Sequence, residues 1–167
     1  MVFSISKKIN KFAGKSRLTD ALAIFCARYL VYLMTVCLLL IALIDNNWRI
    51  FFYPFLSGLF GAFIINTLVY IFYKERRPAG LKGTKVLIPV PSNPSFPSRH
   101  SAFIFGMSSC LFFYSTPLAL FFLVCSCFVG VARVFCGVHW LQDVLAGILV
   151  GFLSALIIIS ISNIARF

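Results

Sequence analysis

Acid is what this sequence has least of. Only 4 Asp and Glu residues stand against 15 Lys and Arg in a chain of 167, for a formal net charge of +11. Charged residues of both signs make up 11% of the chain, where soluble globular domains carry about 25%. The remainder is 61% hydrophobic and 17% aromatic. A chain of this length cannot hide that much apolar surface from water, because small domains bury only part of theirs. A water-soluble fold is therefore excluded, and lipid is the expected solvent. Histidine is scarce too, with 2 residues. The six cysteines (Cys26, Cys37, Cys110, Cys125, Cys127 and Cys136) lie in or beside apolar runs. Cys125-x-Cys127 has no second pair or histidine to complete a metal site, so the cysteines read as small buried hydrophobes. Basic helix or sheet motifs are missing as well, which argues against a nucleic-acid partner. The positive charge is left for an anionic membrane surface or for anionic substrate groups.

What is present reads as one membrane-embedded domain, 1–167. Lys7, Lys8, Lys11, Lys15 and Arg17 cluster in residues 1–17, while Ile5, Ile9 and Phe12 fall on one helical face. That pattern predicts an amphipathic segment on the bilayer surface. A secretory signal is not read here: the following apolar run is too long, and no small-x-small pattern ends it. Spanning a bilayer takes about 20 apolar residues. Five apolar runs approach that length: about 20–44, 50–73, 101–115, 117–136 and 141–164. All should be helical, since unpaired backbone groups are too costly in lipid. The expected fold class is thus an all-α bundle of about five transmembrane helices. Ser57, Gly58, Gly61 and the Gly147-x-x-x-Gly151 pair are candidate points of close helix packing. Between the second and third runs lies the one long polar stretch, 74–100, the candidate active-site loop. Arg28 should snorkel toward headgroups, and Arg76, Lys82 and Lys85 read as solvated or headgroup-facing charges.

Alternating helix direction brings distant polar residues to one face. Lys74, Arg76 and Arg77 end the second span, and Ser98, Arg99 and His100 begin the third. Arg133 ends the fourth, and His139 and Asp143 begin the fifth. Ionisable residues at membrane depth are expensive and usually serve a function. Arginine offers a planar fork of donors suited to phosphate, and lysine a point charge. Asp143 follows His139 by four residues, so both share a helical face. A carboxylate there can hold one imidazole nitrogen as N–H and leave the other free to attack.

The segment Ala132-Arg133-Val134-Phe135-Cys136-Gly137-Val138-His139-Trp140-Leu141-Gln142-Asp143 resembles the third signature of the type 2 phosphatidic acid phosphatase superfamily. Phe96-Pro97-Ser98-Arg99-His100-Ser101 resembles its second signature, and Arg77-Pro78 the end of its first. The three occur in order over roughly 60–165. The resemblance implies a metal-free, cofactor-free hydrolase of lipid phosphates working through a phosphohistidine. His139 would be the nucleophile, Asp143 its orienting carboxylate, and His100 the acid and then the base. Arg77, Ser98 and Arg133 would hold the phosphoryl oxygens. Three positions depart from the signatures. Arg99 replaces the usual Gly, and either binds phosphate or points toward headgroups. Ala132 replaces a Ser. Tyr70 occupies the signature lysine position, with Lys74 one turn later as its candidate substitute.

The resemblance implies a membrane lipid as substrate, with a polyprenyl diphosphate such as the bacterial undecaprenyl carrier preferred. Phosphatidic acid and phosphatidylglycerol phosphate are the near alternatives, and a non-enzymatic lipid carrier on the same fold is the rival from another class. The expected location is the cytoplasmic (inner) membrane of a bacterium. Positive-inside counting puts the amino-terminal lysines, and with five spans the site, in the cytoplasm. Family members of this kind usually work at the outer face, to which the reading leans.

Overall fold

Backbone polar groups in lipid must be satisfied within the chain, and helices do this segment by segment. The computed structural model describes residues 2–90 and 92–164, and among them are eight α-helices and no strand. They are α1 (Val2–Asn10), α2 (Arg17–Arg28), α3 (Leu30–Ile44), α4 (Arg49–Leu59), α5 (Asn66–Phe72), α6 (Arg99–Cys110), α7 (Thr116–Phe135) and α8 (Leu141–Ile164). A π-helical stretch, Phe60–Ile65, joins α4 to α5 without a break.

Three helical stretches are long and apolar enough to cross a membrane: Arg49–Phe72, Thr116–Phe135 and Leu141–Asn163. A fourth is added if α2 and α3 count as one span, broken at Tyr29 by a 52° bend. Length and composition alone thus support three or four spans, where about five were expected. The run at 101–115 becomes α6, of 12 residues, followed by a short 3-10 turn at Leu111–Phe113. It falls short of the roughly 20 residues a lipid-facing span needs. Surrounded by protein instead, α6 buries Ser101, Ala102, Ile104, Phe105, Gly106, Met107, Ser108 and Cys110. Outside the bundle, Leu40, Phe63, Ile71, Phe121, Phe128 and Leu149 are exposed, the apolar coat a bilayer would cover.

Missing side chains let α6 sit this deep. A Cβ on Gly147 would lie 2.7 Å from the Ser101 Cβ and 2.8 Å from the Ser98 carbonyl. One on Gly151 would lie 2.6 Å from the Gly106 nitrogen, and one on Gly58 would lie 2.8 Å from the Phe103 carbonyl. Hydroxyls then bind the three helices together. Ser57 Oγ donates to the Gly106 carbonyl at 3.0 Å, and Ser154 Oγ donates to the Ser57 carbonyl at 2.6 Å.

One end of the bundle collects the irregular chain. Residues 73–90 and 92–98 are non-helical apart from the turn Pro78–Gly80. They are tied to the turn between α7 and α8 by Leu87 N–H donating to the Cys136 carbonyl at 3.2 Å. The amino-terminal helix docks at the same end. Leu141 N–H donates to Ser6 Oγ at 2.9 Å, and Phe3 meets Trp140 edge-to-face at 4.8 Å. Asn10 bonds both the N–H and the carbonyl of Lys85. The polar face of α1 (Ser6, Asn10) is thus turned inward, while Ile5 and Phe12 are exposed.

Candidate active site

His139 lies in the tight turn between α7 and α8. Gly137 makes that turn possible, with φ +73, a left-handed conformation that glycine adopts without steric cost. Any Cβ there would collide with the Lys85 carbonyl. Asp143 closes the turn from the other side. Its Oδ2 accepts the Trp140 N–H at 2.7 Å, capping the first turn of α8. The same oxygen accepts the Ser95 hydroxyl in a close contact and lies 3.4 Å from His139 Nδ1. Both His139 and Asp143 are buried.

The other ring nitrogen meets Arg77. Nη1 of Arg77 is 3.2 Å from His139 Nε2 and donates to the Val138 carbonyl at 2.9 Å. A guanidinium can only donate, so Nε2 is the acceptor, and the proton resides on Nδ1 beside Asp143. The imidazole is thereby set in one tautomer, with its Nε2 lone pair engaged by Arg77. Burial pushes the His139 pKa well below the ordinary histidine value, and the Arg133 and Arg77 charges act in the same direction. Three further bonds fix Arg77: Nε to the Asn93 carbonyl (3.0 Å), and Nη2 to Asn93 Oδ1 (3.0 Å) and the Pro94 carbonyl (3.1 Å).

A cavity of about 390 Å³ opens at this point. Its walls carry Arg77, Arg99 and Arg133, both histidines, and Tyr70, Ser92 and Asn93, with no carboxylate among them. Arg133 comes from the last turn of α7, where Nη1 donates to the Ala27 carbonyl at 3.1 Å, beside the α2–α3 break. Its buried Nε has no partner, and neither does the buried Nε of Arg99. The Arg99 guanidinium is held over the rings of Tyr70 (5.1 Å) and Phe63 (5.8 Å). Three guanidinium groups with two unmatched donors make an anion site. Among the described residues, no three His, Cys, Asp or Glu side chains gather closely enough to hold a metal ion.

His139, His100, Arg77, Arg99 and Arg133 are therefore brought together as their positions in the sequence predict. Two expected phosphate ligands are not at this cavity. Ser98 is buried as the N-cap of α6: its Oγ accepts from Ser101 N–H (3.4 Å) and Ser101 Oγ (3.1 Å), and its own N–H donates to the Asp143 carbonyl at 2.9 Å. Lys74 is exposed on the strand-like segment after α5 and lines none of the cavity. Tyr70, at the signature lysine position, lines the cavity instead and donates to the Pro97 carbonyl at 3.1 Å. Asn93 and Ser95 escaped the sequence reading, because one loop asparagine or serine among several carries no periodic or spacing signal.

A second, apolar cleft of about 410 Å³ shares Arg99 and His100 with this cavity. Val31, Tyr32 and Val36 of α3 form one wall, and Phe55, Phe63 and Phe103 form the other.

Comparison with known proteins agrees with this geometry. The chain is 25% identical to undecaprenyl-diphosphatase of Bacillus subtilis (strain 168), over 99% of this chain and 86% of that protein. It is 28% identical to a bacitracin transport permease protein of Bacillus licheniformis, over 90% of this chain and 75% of the other. Among solved structures, LpxE of Aquifex aeolicus superposes with a TM-score of 0.72 at 20% identity, covering 94% of this chain and 93% of that one. A phosphatidylglycerolphosphate phosphatase of PAP2 type from Bacillus subtilis superposes with a TM-score of 0.64 at 18% identity, covering 96% and 85%. These two likenesses show a shared fold. The model of the PAP2 superfamily matches residues 51–166, which include all three arginines and both histidines of the cavity, and the chain belongs to that superfamily of phosphatases.

Proposed function

We propose that this chain removes phosphate from a lipid phosphate or diphosphate through a phosphohistidine formed at His139. The observation that carries the reading is the cavity lined by His139, His100 and three arginines, which shares Arg99 and His100 with an apolar cleft. In the first step the Arg77 Nη1–H shifts from His139 Nε2 to a phosphoryl oxygen, freeing the lone pair. Nε2 then attacks the terminal phosphorus, and an N–P bond forms as the P–O bond to the departing lipid alcohol or lipid monophosphate breaks. His100, protonated once the negative charge of the substrate enters the cavity, gives its proton to the departing oxygen. Asp143 balances the positive charge that develops on the His139 ring, and Arg77, Arg99 and Arg133 hold the phosphoryl oxygens as charge builds there. In the second step His100 takes a proton from water. The resulting hydroxide attacks phosphorus, the N–P bond breaks, and inorganic phosphate leaves. Ser98 acts here by capping α6 and Lys74 by adding charge nearby, not by touching phosphate.

A polyprenyl diphosphate is the preferred substrate. The likeness to an undecaprenyl-diphosphatase over nearly the whole chain supports this, and the aromatic cleft beside His100 suits an isoprenoid tail. The chain is a single unit of five crossings in a bacterial cytoplasmic membrane, with α6 as the shielded fifth. Ile5 and Phe12 of the amino-terminal segment rest on the bilayer. The site faces outward. Lysines of the amino-terminal segment line a cavity that includes His139, so their charge serves the site and loses its weight as a cytoplasmic marker.

Purified protein should release inorganic phosphate from undecaprenyl diphosphate in the presence of chelator, and His139→Ala should release none. Undiminished turnover by that variant would defeat the mechanism.

A further inference from the structure

Beside the active-site cavity, and sharing His139 with it, a separate cavity of about 490 Å³ opens between α1 and the 78–85 segment. Lys7, Lys11 and Lys15 line it from the amino-terminal segment, Lys82 and Lys85 line it from the loop, and no carboxylate does. Its walls are built by buried polar contacts. Asn10 Nδ2 donates to the carbonyls of Lys85 (2.7 Å) and Phe135 (2.8 Å), and its Oδ1 accepts the Lys85 N–H at 2.9 Å. Asn10 and Ser6 are both buried in doing so. Lys85 is thus held against α1 by its own backbone, and its ammonium lies beside Gly14, 3.1 Å from where a Cβ on that residue would sit. The nearby carboxylate of Asp20 is engaged by the Gly14 N–H at 3.0 and 3.1 Å. Among the described residues, no lysine forms an ion pair with a carboxylate.

Five lysines around one cavity that no carboxylate lines carry like charges, and an anion among them relieves their mutual repulsion. Lysine binds phosphate as a mobile point charge, without the rigid bidentate grip of arginine. A lysine-only lining therefore suits an anion that comes and goes, beside an arginine-lined cavity that holds one for reaction. We propose that the lysine cavity is a second phosphate-group site, distinct from the catalytic one. Its occupant is a phosphate group, brought either by free inorganic phosphate or by the headgroup of a neighbouring anionic lipid. The hydrolase reading enters only as one source of that phosphate.

The test is the acylation rate of individual lysines, followed by mass spectrometry, on the full chain in nanodiscs. In phosphatidylcholine discs, inorganic phosphate is compared with chloride at equal ionic strength. In a second arm, phosphatidylglycerol discs without phosphate are compared with phosphatidylcholine discs. Acylation of Lys11, Lys82 and Lys85 should slow several-fold, with Lys74 unchanged as the outside reference. Slowing in the first arm identifies free phosphate as the occupant, and slowing in the second arm alone identifies a lipid headgroup. Equal rates in both arms, or equal slowing at Lys74, would overturn the proposal. Turnover is not the readout, so an active enzyme can fail this test and an inactive chain can pass it.

Discussion

At the scale of single residues, the proposed chemistry turns on which nitrogen of His139 lacks a proton. Arg77 can only donate to Nε2, so the ring is locked with its proton on Nδ1, facing an Asp143 oxygen already shared with Ser95 and the Trp140 N–H. Replacing His100 should lower kcat by about 10²–10⁴-fold, the usual contribution of a general acid–base group. Arg99→Gln or Arg133→Gln should each cost about 10²–10³-fold in kcat, as loss of a donor to developing charge does. Phosphate-release kinetics on the purified variants would check both. The depressed pKa of His139 also sets a pH dependence. In the unfolded chain histidine binds a proton below about 6.5, whereas the buried ring stays neutral well below that. Stability from keeping the ring neutral is complete above the unfolded value. It is lost as pH falls from there toward the folded pKa, by up to about 1.4 kcal/mol per pH unit. Melting temperatures of wild type and His139→Gln, followed from pH 7.5 down to 5.5, should show a steeper decline for wild type.

Elements were legible in the sequence to the extent that lipid imposes a length. The runs at 50–73, 117–136 and 141–164 became Arg49–Phe72, Thr116–Phe135 and Leu141–Asn163, because hydropathy and span length report the same constraint. The run at 20–44 gave no sign of its break at Tyr29, since no proline or glycine marks the bend. A run of 15 apolar residues at 101–115 could not reveal that α6 is sheathed by protein. That depends on glycines in other helices, and Gly147 and Gly151 take their meaning only from what faces them. Gly151→Ala should destabilise the protein by about 1–3 kcal/mol through overpacking against α6, measurable as a lower melting temperature in detergent. Ser6 and Asn10 drew no notice in the sequence, yet they dock α1 onto this end of the bundle, because a buried polar pair and an exposed one have the same spacing. Of the candidate site, the three arginines and two histidines could be read from helix-end positions alone. Ser98 and Lys74 could not be sorted that way, because being near a helix end does not say which way a side chain turns.

For the whole molecule, an apolar bundle carries one polar end where an arginine-lined cavity adjoins an apolar cleft. If that cleft takes the lipid tail, Val36→Trp should obstruct it. KM for a long-chain lipid phosphate should rise, while turnover of a short, water-soluble phosphate ester stays near wild type. Orientation is tested by Leu81→Cys in intact cells, where a membrane-impermeant thiol reagent should label the loop from outside.

The most direct test of the proposed chemistry is to trap the phosphoryl group itself. With His100→Ala, a radiolabelled lipid diphosphate, whose lipid-phosphate leaving group can depart without a proton, should still phosphorylate His139. Loss of the base should slow hydrolysis of that intermediate, leaving an acid-labile, alkali-stable label. Peptide mass spectrometry should then place one phosphoryl group on His139. A protein that hydrolyses the lipid yet never carries label there, or carries it on another residue, would contradict the mechanism.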